Sequence, residues 1–271
     1  MPGMKRIDVG GSALEVLHIP AASTGRVAAP LVFLHEGLGS VAMWRDWPHQ
    51  VARATGRAAW VYSRCGYGSS QPTPDVRGPP RRVAGLRHGR LLPDYLHHEA
   101  FDVLPLLLRQ LGVTAPPVLV GHSDGGSIAL LYASVHRVAA SVVLAPHVVV
   151  EEQTIASIAA ARGAYLSGDL RQRLAPYHAD VDCAFWQWND IWLDPQFRSF
   201  DIRADCHHIT APLLAIQGHD DPYGSMRQID EIVPHAAPIQ REKLDACGHA
   251  PQRDQRLTTN RLLTQFLRTA E

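Results

Sequence analysis

The chain has 271 residues, 46% hydrophobic and 19% charged. That composition can bury a core and excludes a chain that stays disordered for want of apolar surface. Basic and acidic residues number 26 each, so the formal net charge is +0 and nothing points to a nucleic-acid or membrane-surface partner.

The length suits one large α/β domain, or such a domain with one sizeable insertion. Cys65, Cys183, Cys206 and Cys247 form no C-x-x-C pair. Their spacing fits reduced thiols rather than a disulfide framework or a zinc site. The start MPGMKRIDVGG lacks a charged segment followed by an apolar one, and no apolar run approaches membrane-spanning length. The expectation is a soluble cytoplasmic protein, monomer or homodimer.

Residues 5–18 read as two strands around the turn Gly10-Gly11. LVFLH (31–35) and AAWVY (58–62) are short continuous apolar runs, as expected of strands buried on both faces. Residues 71–93 are rich in Pro, Arg and Gly and read as a mobile loop. From Tyr95 to Leu111 the pattern is helical, with Pro105 as a kink and Gly112 as the stop. PVLVG (117–121) is the fifth strand, residues 126–138 a helix, and SVVLA (141–145) the sixth strand. LLAIQG (213–218) and IQREKL (239–244) follow, and residues 254–269 form a closing amphipathic helix. Apolar strands alternating with helices predict a mostly parallel sheet covered on both faces. The rhythm lapses over 149–208, which is helical in composition and holds FWQWNDIWLDP, with three of the six tryptophans. The prediction is therefore a core of residues 1–148 and 209–271, with 149–208 as a small helical cap inserted after the sixth strand. Such a cap would cover the carboxyl ends of the strands, where sites open in parallel sheets.

Gly121-His122-Ser123-Asp124-Gly125 fits G-x-S-x-G between a buried strand and a helix, the context of a nucleophile elbow. Small residues suit so sharp a turn, since Cβ atoms at 121 and 125 would meet backbone. The helix that starts there aims free N–H groups and a partial positive charge at the serine. A serine hydroxyl needs a base, and the base an orienting acid. In this architecture the chain order is serine, acid, histidine. GHDDPYG (218–224) places Asp220 and Asp221 after one strand, and CGHAPQRDQ (247–255) places His249 after the next, before the last helix.

With these segments in hand, the chain resembles the α/β-hydrolase superfamily over nearly its whole length. The motifs LHEGLGS, YSRCGYGSS, GHSDGG and the pair GHDDPYG with GHAPQRD carry the resemblance. The HEGLGS loop suggests a bacterial branch of serine ester hydrolases. The resemblance implies an α/β-hydrolase fold, no cofactor, and a triad of Ser123, His249 and an acid three residues beyond the strand-ending glycine. That selects Asp221, with Asp220 as the alternative. It also implies an oxyanion hole made by the N–H of Asp124 and by a loop donor in His35-Glu36-Gly37-Leu38-Gly39-Ser40, either Gly37 or Leu38. A glutamate replaces the family's usual glycine at 36. Its carboxylate either pairs with a neighbour such as Arg64 or handles substrate. Arg64, Gly66, Gly68 and Ser69 match a family turn that braces the fold, although its usual aspartate is absent.

Other candidates divide between site and scaffold. His122, inside the elbow, is a candidate substrate contact, and His147 faces the pocket or is a polar loop residue. Trp186, Trp188 and Trp192 form a wall for an acyl or aromatic group, or the cap's own core. Arginines 77, 81, 82, 87 and 90 are a solvated loop or a greeting for an anionic coenzyme A thioester. His97-His98-Glu99 and Asp205-Cys206-His207-His208 lack the i, i+4 spacing of H-E-x-x-H, so no catalytic metal is expected. The expected reaction is hydrolysis of a small-molecule ester, lactone or thioester. The rivals are carbon–carbon bond hydrolysis of a ring-fission diketone by the same triad, and a ligand receptor with residual turnover.

Overall fold

The structure is a computed structural model and describes residues 3–21 and 28–270. Eight strands form one sheet: β1 (Met4–Val9), β2 (Ser12–Ile19), β3 (Leu31–Leu34), β4 (Ala59–Tyr62), β5 (Val118–His122), β6 (Ala140–Leu144), β7 (Leu213–Gly218) and β8 (Ile239–Leu244). Their order across the sheet is β1-β2-β4-β3-β5-β6-β7-β8. β1, β2 and β4 pair antiparallel, and every other pairing is parallel. β3, β5, β6 and β7 are buried at every position, which is why each reads as a mostly apolar run rather than an alternating one.

Helices cover both faces. On one lie α1 (Trp47–Thr55) and the closing helix Arg256–Thr269, packed through Trp47, Val51, Leu263 and Phe266. On the other lie α2 (residues 95–110) and α3 (Asp124–Val135). The segment between β6 and β7 adds α4 (Glu152–Ser167), α5 (Val181–Trp192) and shorter turns, and contributes no strand to the main sheet. Its aromatic residues join the same core, with Phe185 stacked on Tyr165 at 3.6 Å. Among the described residues no helix is long and apolar enough to cross a membrane.

Three sequence expectations need correction. Within the supposed loop 71–93, Arg81–Val83 pairs antiparallel with Leu86–His88. Docking onto the sheet stabilises this hairpin. Leu86 is buried against Gly10, and the His88 ring bonds Ser12 Oγ at 3.1 Å. The helix expected over 126–138 runs from Asp124 to Val135, because the backbone turns at Ser123 itself and returns to extended at His136. The irregularity in α2 lies before Pro105, as a π turn over Glu99–Val103. Proline has no N–H to give the preceding turn, and wider winding there absorbs the loss.

Candidate active site

Parallel β3, β5, β6, β7 and β8 end on one side of the molecule, and the loops leaving them carry the candidate residues. Ser123 follows β5 with φ 52° and ψ −119°, a conformation that costs a non-glycine residue on the order of 1–3 kcal/mol. Glycine is demanded on both sides. A Cβ at Gly121 would lie 2.2 Å from the Gly125 carbonyl oxygen, and one at Gly125 would lie 2.0 Å from the Leu34 carbonyl oxygen. The turn is fastened by the Ser123 N–H to the Leu144 carbonyl, at 2.9 Å.

His249 Nε2 is 2.9 Å from Ser123 Oγ, and its Nδ1 is 2.8 and 2.9 Å from the two Asp221 oxygens. A neutral ring that donates from Nδ1 to the carboxylate leaves Nε2 as acceptor for the serine hydroxyl. Asp221 is 7% exposed and also accepts from the Tyr223 N–H at 2.8 Å and Gln217 Nε2 at 2.6 Å. Burial works against its charge, yet the bonds from His249 and Tyr223 prevail and hold its carboxyl below the usual aspartate range. Asp220 is exposed, and among the described residues only its backbone N–H is hydrogen-bonded, to the Cys247 carbonyl.

A cavity of about 120 Å³ opens above Ser123 and His249. Glu36, Gly37, Leu38, His147, Trp188 and Trp192 line it, joined by Ile158 and Tyr223. Trp188 lies on Gly37 so closely that a Cβ there would be 2.2 Å from the indole. The N–H groups of Gly37 and Leu38 have no partner among the described residues. Asp124, as the first residue of α3, has no intrahelical acceptor for its own N–H. His147 is 2% exposed and its Nδ1 has no partner among the described residues. Burial and the neighbouring His249 push its pKa down to about 3, so the ring is neutral.

Three further placements depart from expectation. Glu36 does not pair with Arg64 through its carboxylate. Oε2 lies 3.3 Å from His122 Nδ1, while Arg64 reaches the Glu36 carbonyl and the Asp124 carboxylate instead, at 3.1 Å each. Neighbouring strands β3 and β5 bring Glu36 and His122 side by side. Burial opposes charge on both. The hydrogen bond between them nonetheless lowers the Glu36 pKa to about 2 and raises that of His122. His122 does not line the cavity as a substrate contact would, and lies behind His249 with Nε2 donating to the His249 carbonyl at 2.6 Å. Trp186 does not line the cavity. It lies beneath the Arg77 guanidinium at 4.2 Å, and Arg77 pairs with Asp190. Arg87 pairs with Asp94, and none of the five loop arginines lines the cavity.

The model of the Alpha/beta hydrolase family matches residues 31–261. The chain belongs to the alpha/beta hydrolase family. A search of curated protein sequences gives no match. Among solved structures, this alpha/beta hydrolase is similar to the enol-lactonase from Burkholderia xenovorans LB400, with TM-score 0.69 and 17% identity over 97% of this chain and 99% of that one. It is similar to a thermophilic esterase from Thermogutta terrifontis, with TM-score 0.70 and 16% identity over 98% of each chain. The meta-cleavage product hydrolase from Pseudomonas fluorescens IP01 gives the same three figures. Identities this low speak for the fold alone.

Sequence reasoning on this hydrolase missed Tyr223, Ile158, Gln217 and Gln252. Tyr223 was within reach, since it stands in GHDDPYG two residues past Asp221. Gln252, whose amide nitrogen is 3.1 Å from His122 Nδ1, gave no signal beyond its nearness to His249. Among the described residues no group of three or more His, Cys, Asp or Glu is arranged to hold a metal.

Proposed function

We propose that the chain is a serine hydrolase of carboxylic esters, lactones or thioesters. The hydrogen-bonded series Ser123, His249, Asp221 at a strained elbow carries this reading. Ser123 Oγ attacks the carbonyl carbon while His249 Nε2 takes its proton. Asp221 keeps the ring in the required tautomer and stabilises the imidazolium. The tetrahedral oxyanion is held by the N–H groups of Asp124 and Gly37. Collapse breaks the bond to the leaving group, which receives the proton from His249. Water, activated by the same nitrogen, then releases the acyl group. Residues 149–208 act as a cap whose Trp188 and Trp192 wall the acyl side.

The test is intact mass after treatment with a fluorophosphonate, on wild type and Ser123→Ala. The expected outcome is one adduct on wild type and none on the variant, with ester turnover reduced on the order of 10⁴-fold or more. A folded wild type that takes no adduct and hydrolyses no ester, lactone or thioester overturns the reading.

A further inference from the structure

We infer that Arg64 is the positioning residue of the oxyanion hole. One of its guanidinium nitrogens grips both the peptide that carries the Gly37 N–H and the side chain of Asp124. This rests on the acyl-transfer reading above.

The peptide between Glu36 and Gly37 is clamped at its carbonyl. That oxygen accepts from Arg64 Nη2 at 3.1 Å, from His35 Nδ1 at 2.6 Å and from the Gly39 N–H at 3.0 Å. In a trans peptide the N–H points opposite to the C=O. Fixing the carbonyl toward the buried arginine therefore turns the Gly37 N–H the other way, and Gly37 lines the cavity with Ser123. A carbonyl that accepts three hydrogen bonds, one from a cation, also polarises its own amide and strengthens the N–H as a donor. The peptide between Gly37 and Leu38 has no such clamp among the described residues. This separates the two loop donors in favour of Gly37.

The second donor is tied to the same group. Arg64 Nη2 is 3.1 Å from Asp124 Oδ2, between side chains only 3% and 1% exposed. Tyr95 donates to that oxygen at 2.9 Å, and Trp192 Nε1 donates to Oδ1 at 3.2 Å. The carboxylate is thus gripped from α2, from α5 and from the loop after β4, while its backbone N–H opens the helix beside Ser123. Arg64 is itself braced, because its N–H donates to His35 Nε2 at 2.9 Å. His35 thus bridges the arginine backbone and the Glu36 carbonyl. A lysine keeps the charge but not the planar fork that serves two acceptors at fixed angles.

The experiment compares Arg64→Met, Arg64→Lys and the charge-neutral pair Arg64→Met/Asp124→Asn with wild type. The last variant avoids leaving the Asp124 carboxylate buried alone, should Arg64→Met fail to fold. Fold is checked by near-ultraviolet circular dichroism. Turnover of p-nitrophenyl butyrate and affinity for a trifluoromethyl ketone, which forms a tetrahedral oxyanion on Ser123, are measured on each. The expected result is kcat lower by about 10²–10³-fold in Arg64→Met, with KM changed much less and ketone affinity falling in parallel. Arg64→Lys should recover part of both. A folded Arg64→Met or double variant with kcat near wild type overturns the inference. So does a lower kcat with ketone affinity unchanged, since a merely structural lesion would leave the oxyanion term alone. Wild type that takes neither fluorophosphonate nor ketone overturns the acyl-transfer reading instead.

Discussion

The rings of His147 and His122 both lie near that of His249, at 5.7 and 5.1 Å between centroids, and respond to pH in opposite senses. Among the described residues His147 has no acidic partner in contact, and burial beside His249 lowers its pKa to about 3. Unfolded, the same ring titrates near 6.5, so below that pH the unfolded chain binds the extra proton and stability falls on acidification. Between pH 7 and pH 5 this one group should cost about 2 kcal/mol. Urea unfolding at both values should show a larger loss for wild type than for His147→Gln, and equal losses would refute the buried neutral ring. His122 is the reverse case, since its bond to Glu36 raises it above 6.5 despite burial. A raised histidine contributes fully below its unfolded pKa, and the contribution disappears as pH rises through the folded value. Glu36, held at about 2, contributes fully above its own unfolded range, and the contribution is lost progressively as pH falls from about 4.5 toward about 2. His122→Gln should therefore be more destabilising at pH 6 than at pH 9, and a difference independent of pH would count against the charged pair.

Elements differ in how far their neighbours constrain them, and two glycines measure the range. Gly125 opens α3 under the Leu34 carbonyl, whereas Gly163 lies exposed in α4 with nothing within 4 Å of an added Cβ. Gly125→Ala should cost about 3 kcal/mol or more, because backbone rather than a flexible side chain must move. Gly163→Ala should stabilise by roughly 0.4–1 kcal/mol through the entropy of the unfolded chain. Thermal melting of the two variants checks both signs. The same contrast explains what the sequence revealed. LLAIQG and IQREKL could be read to the residue because a short apolar or alternating run bounded by turns leaves little choice of strand. The elbow was legible because its residue pattern is local, even though Gly125 is demanded by Leu34 on a neighbouring strand. The hairpin over 81–88 was not, since its three-residue strands form against Gly10 and Ser12 far away in the chain. The Glu36–His122 contact was hidden for a related reason. It follows from β3 lying beside β5, with Leu34 opposite Gly121, a pairing that no local pattern states.

Across the whole molecule, the cavity belongs neither to the sheet nor to the inserted helices alone. Its floor is Ser123, His249 and the loop after β3, and its roof is Ile158 from α4 with Trp188 and Trp192 from α5. Trp192 is hydrogen-bonded to Asp124 beneath it, so roof and floor are held in register. The space is about 120 Å³ and partly open to solvent, less than the ~150 Å³ of a cavity that accepts benzene. Under the acyl-transfer proposal, a short acyl chain fits there, while a long one has to pass the Trp188 indole that lies over Gly37. Steady-state rates on p-nitrophenyl acetate, butyrate and decanoate should thus fall at least about tenfold in kcat/KM from butyrate to decanoate, some 1.4 kcal/mol of lost transition-state binding. Trp188→Leu shortens the roof while keeping it apolar, and should narrow that gap chiefly by raising the decanoate rate. Fluorophosphonate labelling of Ser123 at the wild-type rate would show that the nucleophile is untouched in the variant. Equal rates on butyrate and decanoate in wild type would mean that α5 leaves Gly37 during turnover. The hydrogen bond from Trp192 to Asp124 would then have to break in each cycle, and Trp192→Phe should speed the long ester most.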